Sequence, residues 1–365
     1  MRIIFTVLIL AHGLIHLLGF FKSVKPERVK NLTQRITKQR GIVWLIAAVL
    51  FAVSAITFFM KYDWWWMLAL PAVIISQILI FSTWQDAKFG TIANIIILTA
   101  AVIGYASHSF EDEFRSDVQE NLSIAKNADS EIITEQDLQH LPAVVQKYLK
   151  YAGVLGKERV RNVRIEFEGE MRSKKMDWFP FTSNQYNTFD PPTRSFFMRG
   201  DMMGTSVPGY HAYKDGNATM LVKLFALIPV ADNKGELMNK AETVTVFNDM
   251  CLMAPASLID KRVSWGSSDS TYADAIYTVN DISISAKLFF NEIGQLIDFI
   301  SNDRYDLSGD SPMNYRFSTP VKDYREFGGI NVMSYGEAVW SYPDGDFAYG
   351  KFRLKSIEYN CKSVE

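Results

Sequence analysis

Four long apolar stretches constrain this chain more than any other feature in it: residues 3–21, 42–60, 64–81 and 91–106. A helix needs about 20 apolar residues to cross the ~30 Å hydrocarbon core, and backbone polar groups inside lipid must pair within their own segment. Each stretch is therefore expected to be a transmembrane helix, the third kinked at Pro71. The first could open a signal peptide at Arg2. However, His12, Gly13 and His16 interrupt it and no small-residue cleavage site follows before Lys22, so it reads as a retained span.

The loop over 22–40 carries Lys22, Lys25, Arg28, Lys30, Arg35, Lys38 and Arg40 against Glu27 alone. Basic loops stay in the cytoplasm. With four spans this expectation places both termini, and everything beyond residue 106, outside. Trp64, Trp65 and Trp66 would then mark the outer interface, and Trp44 and Trp84 the inner one. The expected location is a membrane crossed several times, with the chain beyond residue 106 on the side away from the cytoplasm.

Charge divides at the same place. Residues 1–106 hold 10 basic and 3 acidic side chains, which leaves 28 basic and 37 acidic for the remainder. A net of −9 there argues against a nucleic-acid partner, whose phosphates it would repel. The expected organisation is a helical region over 1–108, an acidic solvated tether over 109–135 that could be partly helical, and an α+β domain over 136–365. In that domain Leu141, Val145, Tyr148, Leu149 and Ala152 mark one helix face that opens at Pro142 and stops at Gly153. From Val163 the period becomes two: Val163, Ile165, Phe167 and Met171 alternate with charged residues, and Ile282, Ile284, Ala286, Leu288 and Phe290 repeat the pattern. Turn signals at 291–294, 328–329 and 343–345 predict hairpins, hence a curved antiparallel sheet resembling a half-barrel. Leu237, Ala241, Val244 and Asn248 keep helical spacing, despite the β-branched run over 243–246, and suggest a helical lid across the sheet.

No nucleotide-binding glycine loop, nucleophile elbow, His-Glu-x-x-His or Cys-x-x-Cys occurs, so no catalytic residue or cofactor is expected. Seven of the 14 methionines fall within residues 198–253, among many aromatics. Met-rich surfaces adapt to irregular apolar partners. A curved sheet so lined would hold an acyl chain or similar ligand, with Trp178, Phe181, Tyr186, Met198, Met202, Tyr213, Phe225 and Met253 as candidate contacts. The same residues could equally fill a core. His12 and His16, four positions apart, share one helix face and form a weak candidate for a metal, haem or proton-relay site. Hydrogen bonding of neutral imidazoles to Gln77, Asn94 or a backbone carbonyl is the plainer alternative. Cys251 and Cys361, both on the oxidising side by this orientation, could form a disulfide or remain two buried thiols.

The run from His12 to Phe20 resembles the first span of a family of uncharacterised bacterial membrane proteins. The segments 141–149, Trp178-Phe-Pro-Phe181, Met202-Met-Gly204 and Tyr342-Pro-Asp-Gly-Asp-Phe347 resemble the same family's β-rich domain, over nearly all of 138–360. Met253 and Ala254 stand where that family has an aromatic pair before Pro255. The resemblance implies a multi-pass bacterial membrane protein and carries no activity. By fold analogy, the expected sheet is similar to the half-barrels of periplasmic lipoprotein carriers and sigma-regulatory sensors. The first functional expectation is a membrane-anchored binding module for a membrane lipid or apolar small molecule. A membrane redox protein centred on His12 and His16, or an assembly factor with a membrane-protein partner, are the alternatives.

Overall fold

The structure, a computed structural model, describes residues 2–30, 32–125, 131–309 and 311–364. The chain divides into two compact units, Met1–Glu111 and Asp112–Glu365.

Among the described residues, three helices are long and apolar enough to cross a membrane: α1 (Arg2–Val24), α2 (Lys38–Phe59) and α5 (Gly90–Ala125). The third of the four expected spans, α3 (Trp66–Ser82), has 17 residues. At 1.5 Å per residue that is about 26 Å, short of the hydrocarbon core. It begins late because the chain leaving α2 reverses through Lys61, at φ 67°, and stays in turns through Trp65. A single helical turn, α4 (Trp84–Ala87), follows it. Glycine lets α1 and α2 approach closely. A Cβ on Gly13 would lie 2.7 Å from the Phe51 Cβ, and one on Gly19 would overlap the Trp44 ring.

Within the stretch expected as an acidic tether, in part helical, α5 stays helical to Ala125, and residues 126–130 lie outside the described residues. Phe114, Val118 and Leu122 recur at i, i+4 and i+8 and are all buried. Phe114 packs against the rings of Tyr186, Phe197 and Tyr210, with centroids 6.1, 5.4 and 5.6 Å away. The acidic residues of this stretch find donors on the sheet. The Tyr210 hydroxyl donates to Asp117 Oδ2 at 2.7 Å, and Lys214 Nζ lies 2.6 Å from Glu120 Oε1. Charge that reads as solvation in the sequence thus rims an apolar contact.

Next come the short α6 (Glu135–Leu138), with a capping box between Thr134 and Asp137, and α7 (Ala143–Ala152). Gly153 ends α7 in the left-handed region at φ 79°. The sheet begins with a meander of β1 (Asn162–Ser173), β2 (Met176–Phe189), β3 (Pro192–Met202), β4 (Thr205–Lys214), β5 (Asn217–Leu224) and β6 (Ile228–Lys234). After α8 (Glu236–Met253) come β7 (Val263–Ser268), β8 (Tyr272–Val279), β9 (Ile282–Phe290) and β10 (Leu296–Ser301). The two-residue strands β11 (Tyr305–Asp306) and β12 (Met313–Asn314) pair apart from the sheet. β13 (Arg316–Ser318), β14 (Val321–Phe327), β15 (Ile330–Tyr342) and β16 (Gly345–Tyr359) complete it. Among the described residues fourteen strands form one curved sheet, paired antiparallel throughout, in which β1 joins the last strand, β16, and β14 pairs off the main path with β15. Two meanders from the two halves of the domain are thereby sewn into one surface, and α8 occupies its concave side.

The helix over 236–253 is present and packs across the sheet. Twelve of its eighteen residues are buried, around most of its circumference. Phe247 stacks on Tyr277, centroids 5.2 Å apart, and meets Phe299 edge-on at 5.8 Å. The β-branched run holds helical geometry because burial outweighs propensity, and the Thr243 and Thr245 hydroxyls donate to the carbonyls of Asn239 and Ala241. The possible disulfide is corrected: Cys251 and Cys361 are free, buried thiols. Their surroundings hold them in separate hydrogen-bonded positions. The Cys251 carbonyl accepts from the Tyr148 hydroxyl, whereas the Cys361 amide donates to the Asn162 side chain at the end of β16.

Candidate functional site

A cavity of about 720 Å3 lies between α8 and the concave side of the sheet. Its wall follows from strand alternation, because every second side chain of a strand faces the same way. Phe196, Met198 and Met202 come from β3; Met220, Val222 and Leu224 come from β5. The helix contributes Met238, Ala241, Thr245, Leu252 and Met253, spaced by three, four, seven and one, which is one helical face. A second cleft, of about 510 Å3, shares Asn233, Met238 and Leu307 with the cavity and runs beside the start of α8.

Within this largely apolar wall sits a buried polar cluster. Arg194 on β3 donates through Nε to Asp249 Oδ2 at 2.8 Å and through Nη1 to Glu242 Oε2 at 3.1 Å. Gln185 and Asn187 on β2 donate to the same Asp249 oxygen at 2.7 and 3.1 Å, and His211 Nδ1 stands 3.5 Å from Glu242 Oε1. Burial by itself would raise the Glu242 carboxyl, but Arg194 and His211 outweigh it and hold it at about 2. Burial also opposes the Arg194 charge, and Asp249 and Glu242 overturn that, so the guanidinium binds its proton more tightly than usual. An ion group so enclosed stabilises little in total, but loss of one member leaves an uncompensated charge. It fixes where α8 sits over β2 and β3.

Of the residues singled out in the sequence, Met198, Met202 and Met253 line the cavity, and Trp178, Phe181, Tyr186, Tyr213 and Phe225 do not. Trp178 stacks under Arg172 and Lys351. Phe181 packs on Phe352, and Tyr186 turns to the other side of the sheet, towards Phe114. The Tyr213 hydroxyl lies 3.1 Å from that of Thr243, and Phe225 sits at the β5–β6 turn with φ 54°. The cluster of Arg194, Glu242 and Asp249 was missed. Its one sequence signal is Glu242 and Asp249, seven residues apart in the helical segment and hence on one face.

In the helical unit, His12 Nε2 donates to Asn94 Oδ1 at 2.8 Å, and Asn94 Nδ2 donates onward to Gln77 at 3.0 Å. His16 Nδ1 donates to the His12 carbonyl, which leaves Nε2 to accept from the Ser76 hydroxyl, each at 2.8 Å. These bonds make the two histidines ties between α1, α3 and α5. Among the described residues no three His, Cys, Asp or Glu side chains gather as a metal ion would need.

Comparison with known proteins follows the β-rich unit. The model of a family of unknown function, DUF6544, matches residues 131–352. No curated protein sequence matches the chain. Among solved structures, a LolA superfamily protein, NE2245 from Nitrosomonas europaea, is similar at 9% identity and a TM-score of 0.33, covering 62% of this chain and 93% of its own. A DUF1329 family protein from Desulfovibrio piger is similar at 11% identity and a TM-score of 0.33, covering 60% and 92%.

Proposed function

The chain belongs to the DUF6544 family, whose function is unknown, and from that premise we propose that it is a membrane-anchored binding protein whose β-rich unit holds an apolar or lipid-like ligand. The observation that carries this reading is the 720 Å3 cavity walled by Met, Phe, Val and Leu side chains on one side and by α8 on the other. Ligand cavities of about 300–1,000 Å3 with apolar walls and a few placed polar groups are the common form of small-molecule site. The methionines supply adaptable surface, suited to a flexible chain.

In the same reading α1, α2 and α5 anchor the protein, and α3 crosses as a fourth span, its deficit in length met by local thinning of the bilayer. The basic loop over 22–40 then stays in the cytoplasm, and both termini and the β-rich unit face outward from a bacterial inner membrane. The protein thereby handles or senses envelope lipid. The test is native mass spectrometry of the purified full chain with lipid extraction from the same sample. A stoichiometric apolar ligand is expected in the wild type and in Trp178→Ala, and is expected to be lost from the double variant Met198→Asn, Met202→Asn. An empty wild-type protein, or retention by the double variant, would overturn the assignment of this cavity.

A further inference from the structure

Three arginines and three carboxylates line the cavity: Arg172, Arg194 and Arg304 against Glu242, Asp249 and Asp306. The totals balance, so any preference for a charged ligand must come from local pairing. Arg194 is engaged by Glu242 and Asp249. Asp306 is occupied elsewhere: its carboxylate accepts from the Ser308 amide and hydroxyl and from the Tyr342 hydroxyl, at 2.9, 2.6 and 2.7 Å. Arg172 donates its Nε to the Ala348 carbonyl and is held between the rings of Trp178 and Phe347.

Arg304 differs. It lines the cavity just before β11, half-buried, with its guanidinium 4.1 Å from the Phe317 ring centroid and 5.5 Å from that of Trp340. Its Nη1 donates to the Tyr349 hydroxyl at 3.0 Å. Among the described residues no carboxylate lies within 4.0 Å of it. A guanidinium has five donors in a rigid fork matched to carboxylate and phosphate oxygens. Here aromatic rings orient the fork beside an apolar chamber, and the carboxylates whose field reaches it, Glu242 and Asp306, spend their hydrogen bonds on Arg194, Ser308 and Tyr342. Those carboxylates offset the charge at a distance, but no carboxylate oxygen contacts the fork, so its remaining donors face the chamber where a ligand oxygen could accept them.

We propose that Arg304 receives the anionic headgroup of a single-chain amphiphile, a carboxylate or a phosphate monoester, whose hydrocarbon tail lies along the methionine-lined wall. The inference rests on the cavity reading above and narrows its ligand class. Headgroup and tail are recognised by different parts of the site. Specificity then lies in a bidentate charge-assisted contact, and affinity lies mainly in tail burial.

The experiment uses the full chain in amphipol, which leaves no micelle to dissolve the ligand, with the neutral fluorophore N-phenyl-1-naphthylamine as cavity probe. Dodecanoate, dodecyl phosphate, dodecanol and acetate compete for it. In the wild type the two anions should displace the probe at concentrations at least ten-fold below dodecanol, and acetate should not displace it. Arg304→Gln should bring the anions to the dodecanol value with probe binding unchanged, and Arg304→Lys should keep part of the preference. Equal displacement by dodecanoate and dodecanol in the wild type would overturn the headgroup assignment while leaving the cavity intact. Displacement by acetate as strong as by dodecanoate would overturn it in favour of a free-anion site. A wild-type chain that never binds the probe would overturn the cavity reading itself. Should Arg304→Gln lose the probe through misfolding, the wild-type ratio together with Arg304→Lys still decides, and an undiminished preference in a folded Arg304→Gln would refute the role of this residue.

Discussion

Asp298 on β10 is half-buried, and its Oδ1 has no hydrogen-bond partner. Burial pushes its carboxyl up to about 6, against the smaller opposing pull of the Phe299 and Thr319 amides and Arg316. A folded-state pKa raised above the unfolded value gives stability that is fully present below about 3.8 and is lost as pH rises through about 6. Asp298→Asn should therefore stabilise the protein at pH 8, by on the order of 1 kcal/mol after allowing for partial exposure, and change little at pH 3.5. Urea unfolding at the two pH values checks this; equal effects at both would refute the account. Glu242 has the opposite sign. Its depressed pKa stabilises above about 4.5 and is lost as pH falls towards about 2. The two groups pull the acid side of the stability profile in opposite directions, and neither could be chosen from a sequence with 40 acidic residues. What separates them is the partner each meets after folding.

At the scale of elements, the end of α5 is the most informative difference between sequence and structure. Eight acidic side chains in the sequence over 109–135, five of them within α5, suggested solvation, yet Phe114, Val118 and Leu122 form an apolar stripe that was legible at i, i+4 and i+8. The charges obscured it because Asp117 and Glu120 flank the stripe and pair with Tyr210 and Lys214 across a contact invisible in one dimension. Phe114→Ala should cost about 3–5 kcal/mol, as deletion of a buried aromatic ring does, and expose residues 109–125 to limited proteolysis. Unchanged cleavage and unfolding would mean the helix does not dock on β2–β4. The expected lid shows the complementary limit. Helical spacing was readable in α8, but whether a helix covers a sheet or is enclosed by it depends on sheet curvature, which summed strand twist and the β1–β16 pairing determine.

For the whole molecule, the asymmetry between a basic first loop and an acidic remainder leads to one prediction about topology. Alkaline phosphatase fused after residue 365 should be active in a bacterial host, and a cytoplasm-only fluorescent reporter at the same point should stay dark. The reverse pattern would put the cavity in the cytoplasm and remove envelope lipid from the proposal. Local pattern determined much about this protein: apolar runs long enough for a membrane, period-two strands ended by Gly and Pro turns, and a helix capped between Pro142 and Gly153. Those signals need only neighbouring residues, because helix and strand periodicity repeat within a few positions. Only the tertiary structure decided what faces the cavity. Arg194 meets Glu242 and Asp249 across 48 and 55 residues of chain, and Arg304 has no carboxylate in direct contact because those near it, Glu242 and Asp306, are hydrogen-bonded to other donors. Side-chain pairing at such separations is set by how the sheet curls around α8, and no local period encodes that curl.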